Sequence, residues 1–271
     1  MSWIDPGSGE GLTHPQAVAC MANCRAVLLG EQHDRAEDHR FQELSIAGLA
    51  AQVEGLQIGF EMFPRHLQPV LDVWVEGQMS EAGFLREVGW EKVWGFPPEL
   101  YLPLFRICRD LSLPMIAMNV ERPVVSIIGR EGWEALPEEY RSWMTPAVPA
   151  TPAYRRYLFE VTGGVRPGRK AQSPEDPAFD NFVRAQQVWD RAFACAIAHA
   201  LEQDGAGCVA GIIGRGHLEY HLGVYAQLTS LGIEKVAVAL PHRESSGEGK
   251  IADLVFASGG KAHLRTSPTH L

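Results

Sequence analysis

Apolar residues along this 271-residue chain fall into two alternating patterns. Short, nearly unbroken apolar runs rich in branched side chains occupy 26–29, 56–60, 114–118, 208–213 and 235–240. They are too short for helices, and their lack of alternation is what strands covered on both faces require. Between them lie stretches with helical spacing. The stretch 39–53 has Leu44, Ala47, Gly48 and Ala51 at steps of three and four, and 101–111 repeats that period. The stretch 178–203 is the longest, with Phe182, Trp189, Phe193 and Ile197 on one side. Strand and helix alternate, so the pattern predicts an α/β fold with a mainly parallel sheet flanked by helices.

The interval from about 121 to 176 breaks that rhythm. It holds Pro123, Pro137, Pro146, Pro149, Pro152, Pro167 and Pro174 and no convincing strand. A small helical subdomain or cap is expected there, within a single α/β domain spanning 1–271. The segment 245–249 reads as a mobile loop and the last ten residues as frayed.

Composition narrows the function classes. Net charge is −9, which disfavours a nucleic-acid binder, since such proteins carry a broad basic face. The cysteines (Cys20, Cys24, Cys108, Cys195, Cys208) are scattered and form no CxxC pair, so they read as free thiols. No stretch reaches the roughly 20 apolar residues of a membrane span. Met1 to Gln16 has no lysine or arginine and no apolar core, so a cytoplasmic location is expected, or a periplasmic or lipid-anchored one if a leader has been removed.

The candidate chemistry sits where the predicted strands end. The first runs into Gly30-Glu31-Gln32-His33-Asp34, and Glu31 and His33, two apart, project to one side of an extended segment. The second ends in Phe60-Glu61-Met62-Phe63, a carboxylate inside an apolar run that must find a partner or shift its pKa. The third ends at Asn119, the fourth in Gly214-Arg215-Gly216-His217, and the fifth at Pro241-His242. In open α/β sheets, ligands bind beyond the carboxyl ends of the strands. Glu31, His33, Glu61 and His217 would form one polar cluster there, with Asn119 and Asp34 in support. Such a set suits a divalent metal or a metal-free acid/base pair equally well. The Gly214–Glu219 stretch has glutamate where a dinucleotide fingerprint needs its third glycine, and no Gly-x-Ser-x-Gly elbow occurs.

A second patch lies in the proline-rich interval. Tyr154-Arg155-Arg156-Tyr157, with Arg166, Arg169 and Lys170, forms a basic island in an acidic chain. Tyrosine can ligate ferric haem and arginine can pair with propionates, whereas a charge run is more often a solvated loop.

Taken in order, Gly30-Glu31-Gln32-His33-Asp34, Phe60-Glu61-Met62-Phe63, Tyr101-Leu102-Pro103-Leu104, Asn119, Gln186-x-x-Trp189-Asp190 and Gly214-x-Gly216-His217 resemble the ChaN-like family. This family of iron-regulated, haem-binding proteins belongs to the Tiki/erythromycin-esterase-like superfamily. The resemblance implies a parallel sheet with a small helical domain and a role in haem or iron acquisition, or in intracellular haem handling. It implies a dimer in which two haems lie face to face, a tyrosine ligating each iron and a partner histidine meeting the propionates. Tyr154, beside Arg155 and Arg156, and then Tyr101 are the candidates for that ligand. Metal-dependent relatives imply the rival reading, a hydrolase whose metal is held by Glu31, His33, Glu61 and His217.

Overall fold

The computed structural model describes residues 2–163, 165–166, 169–243 and 250–257; the side chains of 165, 166, 169 and 170 are not described, and the predicted loop at 245–249 and the last ten residues lie outside the described residues. Its strands are β1 (Ser2–Ile4), β2 (Gly11–Leu12), β3 (Ala26–Glu31), β4 (Leu56–Pro64), β5 (Met115–Asn119), β6 (Val165–Arg166), β7 (Arg169–Lys170), β8 (Cys208–Gly214), β9 (Val236–Pro241) and β10 (Leu254–Ala257). Eight of them form one sheet in the order β2-β1-β10-β9-β3-β8-β4-β5. From β10 to β5 every pairing is parallel; only β1 runs antiparallel, to β10 and to β2. The five predicted runs are the five adjacent strands β9-β3-β8-β4-β5. The additional strands have two to four residues each, too few to show a period.

Both faces of the sheet are covered, which explains the unbroken apolar runs. Along β3, Val27 and Leu29 enter one core, while Ala26 and Leu28 enter the core on the opposite face. Helices His14–Ala22, Ala36–Ala50, Gln68–Val75 and Leu102–Asp110 cover the first face. Helices Arg122–Glu131, Asp180–Leu201 and Val224–Ser230 cover the second. Each fully buried Val, Leu or Ile contributes roughly 1.5–3 kcal/mol.

One amphipathic reading was rotated. The expected stripe Leu44, Ala47, Gly48, Ala51 is not the buried face of the Ala36–Ala50 helix; Phe41, Gln42, Ser45, Ile46 and Leu49 are. Polar residues lie on that face because they serve the strand beneath: Gln42 Nε2 donates to the Leu29 carbonyl at 3.1 Å.

The proline-rich interval forms the short helices Arg122–Glu131, Glu138–Arg141 and Pro152–Thr162, followed by a two-stranded β6–β7 hairpin that the sequence did not suggest. Helix Pro152–Thr162 buries Tyr154, Tyr157 and Leu158 against Phe179 and Val183 in a small third core.

The strand order positions the site. From β3 the chain moves one way to β4 and β5, then returns to lay β8 between β3 and β4 before β9 and β10 extend the other side. The topology therefore switches at β3, β8 and β4, whose carboxyl ends meet at one crevice.

Candidate functional site

Glu31 is the last residue of β3 and lies opposite Gly214 of β8. The next strand over is irregular: β4 pairs β5 at Phe60↔Ala117 and next at Pro64↔Asn119, so β4 takes four steps where β5 takes two. This bulge places Phe60, Met62 and Phe63 in the same core and re-aims Glu61 toward the crevice. Asn119 secures the bulge by donating its Nδ2 to the Glu61 carbonyl at 2.5 Å. Gly214 is needed for its size, because a Cβ there would stand 2.9 Å from the His33 Cε1.

These elements bring Glu31, His33, Glu61 and His217 together. His33 Nδ1 bonds Glu31 Oε1 at 2.8 Å, and its Nε2 lies 3.5 Å from Glu61 Oε1. The Gly214 amide donates to Glu61 Oε2 at 2.6 Å. His217 bonds elsewhere: its Nδ1 meets Asp190 Oδ1 of the long helix at 2.7 Å. The site thus contains two carboxylate–imidazole pairs, Glu31–His33 and Asp190–His217, on either side of Glu61. His33, Glu61, Asn119 and His217 line a cleft of about 300 Å³, walled by Trp94, Trp189 and Phe193, with Lys92 and Arg122 beside it. Trp94 packs edge-on to the His33 ring at 4.7 Å and Phe193 edge-on to His217 at 5.5 Å. Asp34 is exposed, and its charge adds to those that favour protonated His33.

The electrostatics follow from burial and pairing. Burial raises the Glu31 pKa, but hydrogen bonds from His33 and His39 and their charges outweigh it and leave the group at about 2. Burial lowers His33, yet the Glu31 hydrogen bond and the charges of Glu61 and Glu31 carry it above its ordinary value. The same contest raises His217, through the charge and hydrogen bond of Asp190 and the charge of Glu61. Glu61 is raised by burial, against the charges of His33 and His217. With both Nδ1 atoms held by carboxylates, each imidazole has its Nε2 for the cleft.

Three corrections follow. Neither tyrosine expected at haem iron faces open space. Tyr154 is buried beneath its own helix and donates its phenol to Asp190 Oδ2. Tyr101 is fully buried and donates to Glu31 Oε1 at 2.7 Å. Burial and the neighbouring carboxylate push both phenols up, the opposite of what a tyrosinate ligand requires. Both therefore hold the carboxylates that hold the imidazoles. Secondly, the basic island is partly neutralised: Arg155 pairs with Asp180 at 2.8 Å and donates to the Pro174 carbonyl, while Arg156 is exposed. The side chains of Arg166, Arg169 and Lys170 lie outside the described residues. Thirdly, among the described residues no group of three His, Cys, Asp or Glu side chains is arranged to hold a metal ion. Glu31 is enclosed by His33, His39 and Tyr101, and Glu61 Oε2 is engaged by a backbone amide. The four-ligand metal reading does not match this geometry.

Sequence reasoning assigned no role to Asp190 or His39. Asp190 had a signal: it closes the Gln186-x-x-Trp189-Asp190 motif, three residues before Phe193 on the apolar stripe of the long helix, and the structure buries it fully. His39 Nδ1 stands 3.3 Å from Glu31 Oε2, on the helix face that the apolar pattern misplaced.

A mainly parallel sheet with a polar cleft at its topological switch defines an α/β protein whose strands end at that cleft. The family model described as "Haem-binding uptake, Tiki superfamily, ChaN" matches residues 17–228, and the chain belongs to that family. Among solved structures, "Cofacial heme binding to ChaN of Campylobacter jejuni" superposes with a TM-score of 0.74 over 94% of this chain and 95% of that one, at 17% identity. RRSP, a MARTX toxin effector domain from Vibrio vulnificus CMCP6, gives a TM-score of 0.47 at 14% identity, over 90% of this chain and 37% of that one. Protein RETICULATA-RELATED 5, chloroplastic, of Arabidopsis thaliana is 25% identical over 263 residues, 89% of this chain. The chain spans about a third (35%) of the length of that plant protein. Among the described residues no helix is long and apolar enough to cross a membrane.

Proposed function

We propose that this chain binds haem, in haem or iron acquisition or in haem handling, and that it does so as a homodimer. The observation that carries the reading is the extent of the family match, residues 17–228, which takes in strands β3, β4, β5 and β8, the residues that line the cleft and the helices between β5 and β8. The shared fold with the haem-binding ChaN of Campylobacter jejuni supports it. Bound haem supplies an iron centre and a propionate edge that polar side chains can grip. Haemin titration followed by absorbance and size-exclusion chromatography tests the proposal. The expected outcome is a Soret shift that saturates at one haem per chain, with elution as a dimer; an unchanged haemin spectrum ends it. Tyr154→Phe should leave the Soret band in place, because that phenol is enclosed against Asp190.

A second reading has its own observation. Two imidazoles whose Nδ1 atoms rest on carboxylates, with Glu61 between them, can take and return protons, as hydrolysis of an ester or amide requires. This chemistry needs no metal. Turnover of an ester or peptide panel, lost in both His33→Ala and His217→Ala, supports it; no turnover by the wild type removes it.

A further inference from the structure

The acids that line the cleft are Glu61 and Glu121, and both are occupied from within the fold. Glu121 accepts from His66 Nδ1 at 2.5 Å through one oxygen and from the Tyr140 hydroxyl through the other. Glu61 has one oxygen on the Gly214 amide, and its burial favours the uncharged form. The carboxylates behind the two imidazoles are balanced as well. Asp190 is held by His217 and the Tyr154 hydroxyl. Glu31 faces His39, whose Nδ1 stands 3.3 Å from Glu31 Oε2 and 3.2 Å from Gln42 Oε1. The other His39 nitrogen meets the His33 carbonyl at 3.1 Å. With acceptors at both nitrogens, that buried imidazole carries two protons and a positive charge, which offsets Glu31. What is left over is positive. Lys92, on the short helix Trp90–Val93, and Arg122, the first residue of helix Arg122–Glu131, line the cleft at exposed positions. Among the described residues no carboxylate forms an ion pair with either, although the chain as a whole has a net charge of −9.

We propose that the substrate of this cleft is a small acyl ester or amide that carries its own carboxylate, an assignment that rests on the hydrolytic reading and gives it a substrate class. Arg122 and Lys92 are the cations that its carboxylate meets. Trp94, Trp189 and Phe193 give an apolar or aryl portion its walls. The acyl carbon then lies within reach of His33 and His217, the imidazoles that line the same cleft. A cleft of about 300 Å³ is at the small end for ligand pockets and fits a compound of that modest size. In the reaction, water adds to the acyl carbon and yields a proton to one imidazole. The C–O or C–N bond breaks as the other imidazole delivers a proton to the departing oxygen or nitrogen. The products are a carboxylic acid and an alcohol or amine, and no electron is transferred.

The probes are an amide, N-benzoylglycine, and an ester, O-benzoylglycolate, each compared with its uncharged carboxamide by the release of benzoate. The intact chain should hydrolyse the acids with a kcat/KM about tenfold or more above that of the carboxamides. Arg122→Gln and Lys92→Gln should each raise KM for the acids about tenfold with a smaller change in kcat, and added salt should raise it in the wild type. A second readout needs no turnover: N-benzoylglycine should shift the His33 and His217 ring resonances of the wild type, and shift them far less when both cations are replaced. Thermal unfolding near the wild-type temperature verifies the fold of each variant. If the wild type cleaves neither the acids nor the carboxamides, the hydrolytic reading falls and the substrate class falls with it. If it cleaves acids and carboxamides equally well, the hydrolytic reading stands and the anionic class is overturned. Variants that keep the wild-type KM for the acids overturn it in the same way.

Discussion

Glu31 accepts from Tyr101 and His33 and faces His39, and this enclosure sets how the site responds to pH. Its pKa is depressed from 4.5 to about 2, so its stabilising contribution is complete above 4.5 and is lost as pH falls toward 2. His33 and His217 are raised above 6.5, so theirs are complete below 6.5 and are lost as pH rises through the raised values. Glu61 is raised by burial, so its ionisation above 4.5 works against folding. The site should therefore contribute most between about pH 4.5 and 6.5. Melting temperature against pH checks this: Glu31→Gln should flatten the acid limb and Asp190→Asn should weaken the alkaline decline. In Asp190→Asn the His217 pKa should also fall, as read by NMR titration. Gly223 tests the same pair sterically. A Cβ there would stand 2.3 Å from the His217 carbonyl and 3.0 Å from Asp190 Oδ1, so Gly223→Ala should shift the His217 resonances more than those of His33. Glu31, His33, Glu61 and His217 were legible because each interrupts or ends an apolar run. Tyr101 and Tyr154 were misread because a phenol's partner depends on which carboxylate the fold brings beneath it.

At the level of elements, strands β3, β4, β5, β8 and β9 were legible because burial on both faces leaves a nearly unbroken apolar run. The bulge in β4 was not, since Phe60-Glu61-Met62-Phe63 has the same composition with or without the two extra steps. The rotated face of helix Ala36–Ala50 has a related cause: Gln42 and His39 are buried for their hydrogen bonds, and an apolar stripe cannot reveal that. Arg191 illustrates a joint between elements. Its buried guanidinium donates to Thr145 O and Oγ1, to Gln227 O and Oε1, and to Ser230 Oγ. It fastens the loop before helix Pro152–Thr162 to helix Val224–Ser230. Arg191→Met would leave buried acceptors unpaired and should cost about 2–3 kcal/mol, measured by urea unfolding. Because neither Arg191 nor its partners line the cleft, the haem affinity of the remaining folded protein should change little.

Over the whole molecule, the strand order gives β8 an unusual position: it is late in the chain and central in the sheet. Ala26 pairs with Val209, and Leu56 with Cys208, so β3 and β4 have no common neighbour until the chain has passed residue 208. During synthesis both strands must wait, with facing hydrogen-bonding edges exposed, for a segment made about 150 residues later. A ribosome-bound chain ending before β8 should thus be captured by chaperones or aggregate, while one extending past β9 becomes protease-resistant. The strand that fills this gap also carries the loop with His217, so the appearance of ligand-binding capacity and the joining of β3 to β4 should be a single event in time.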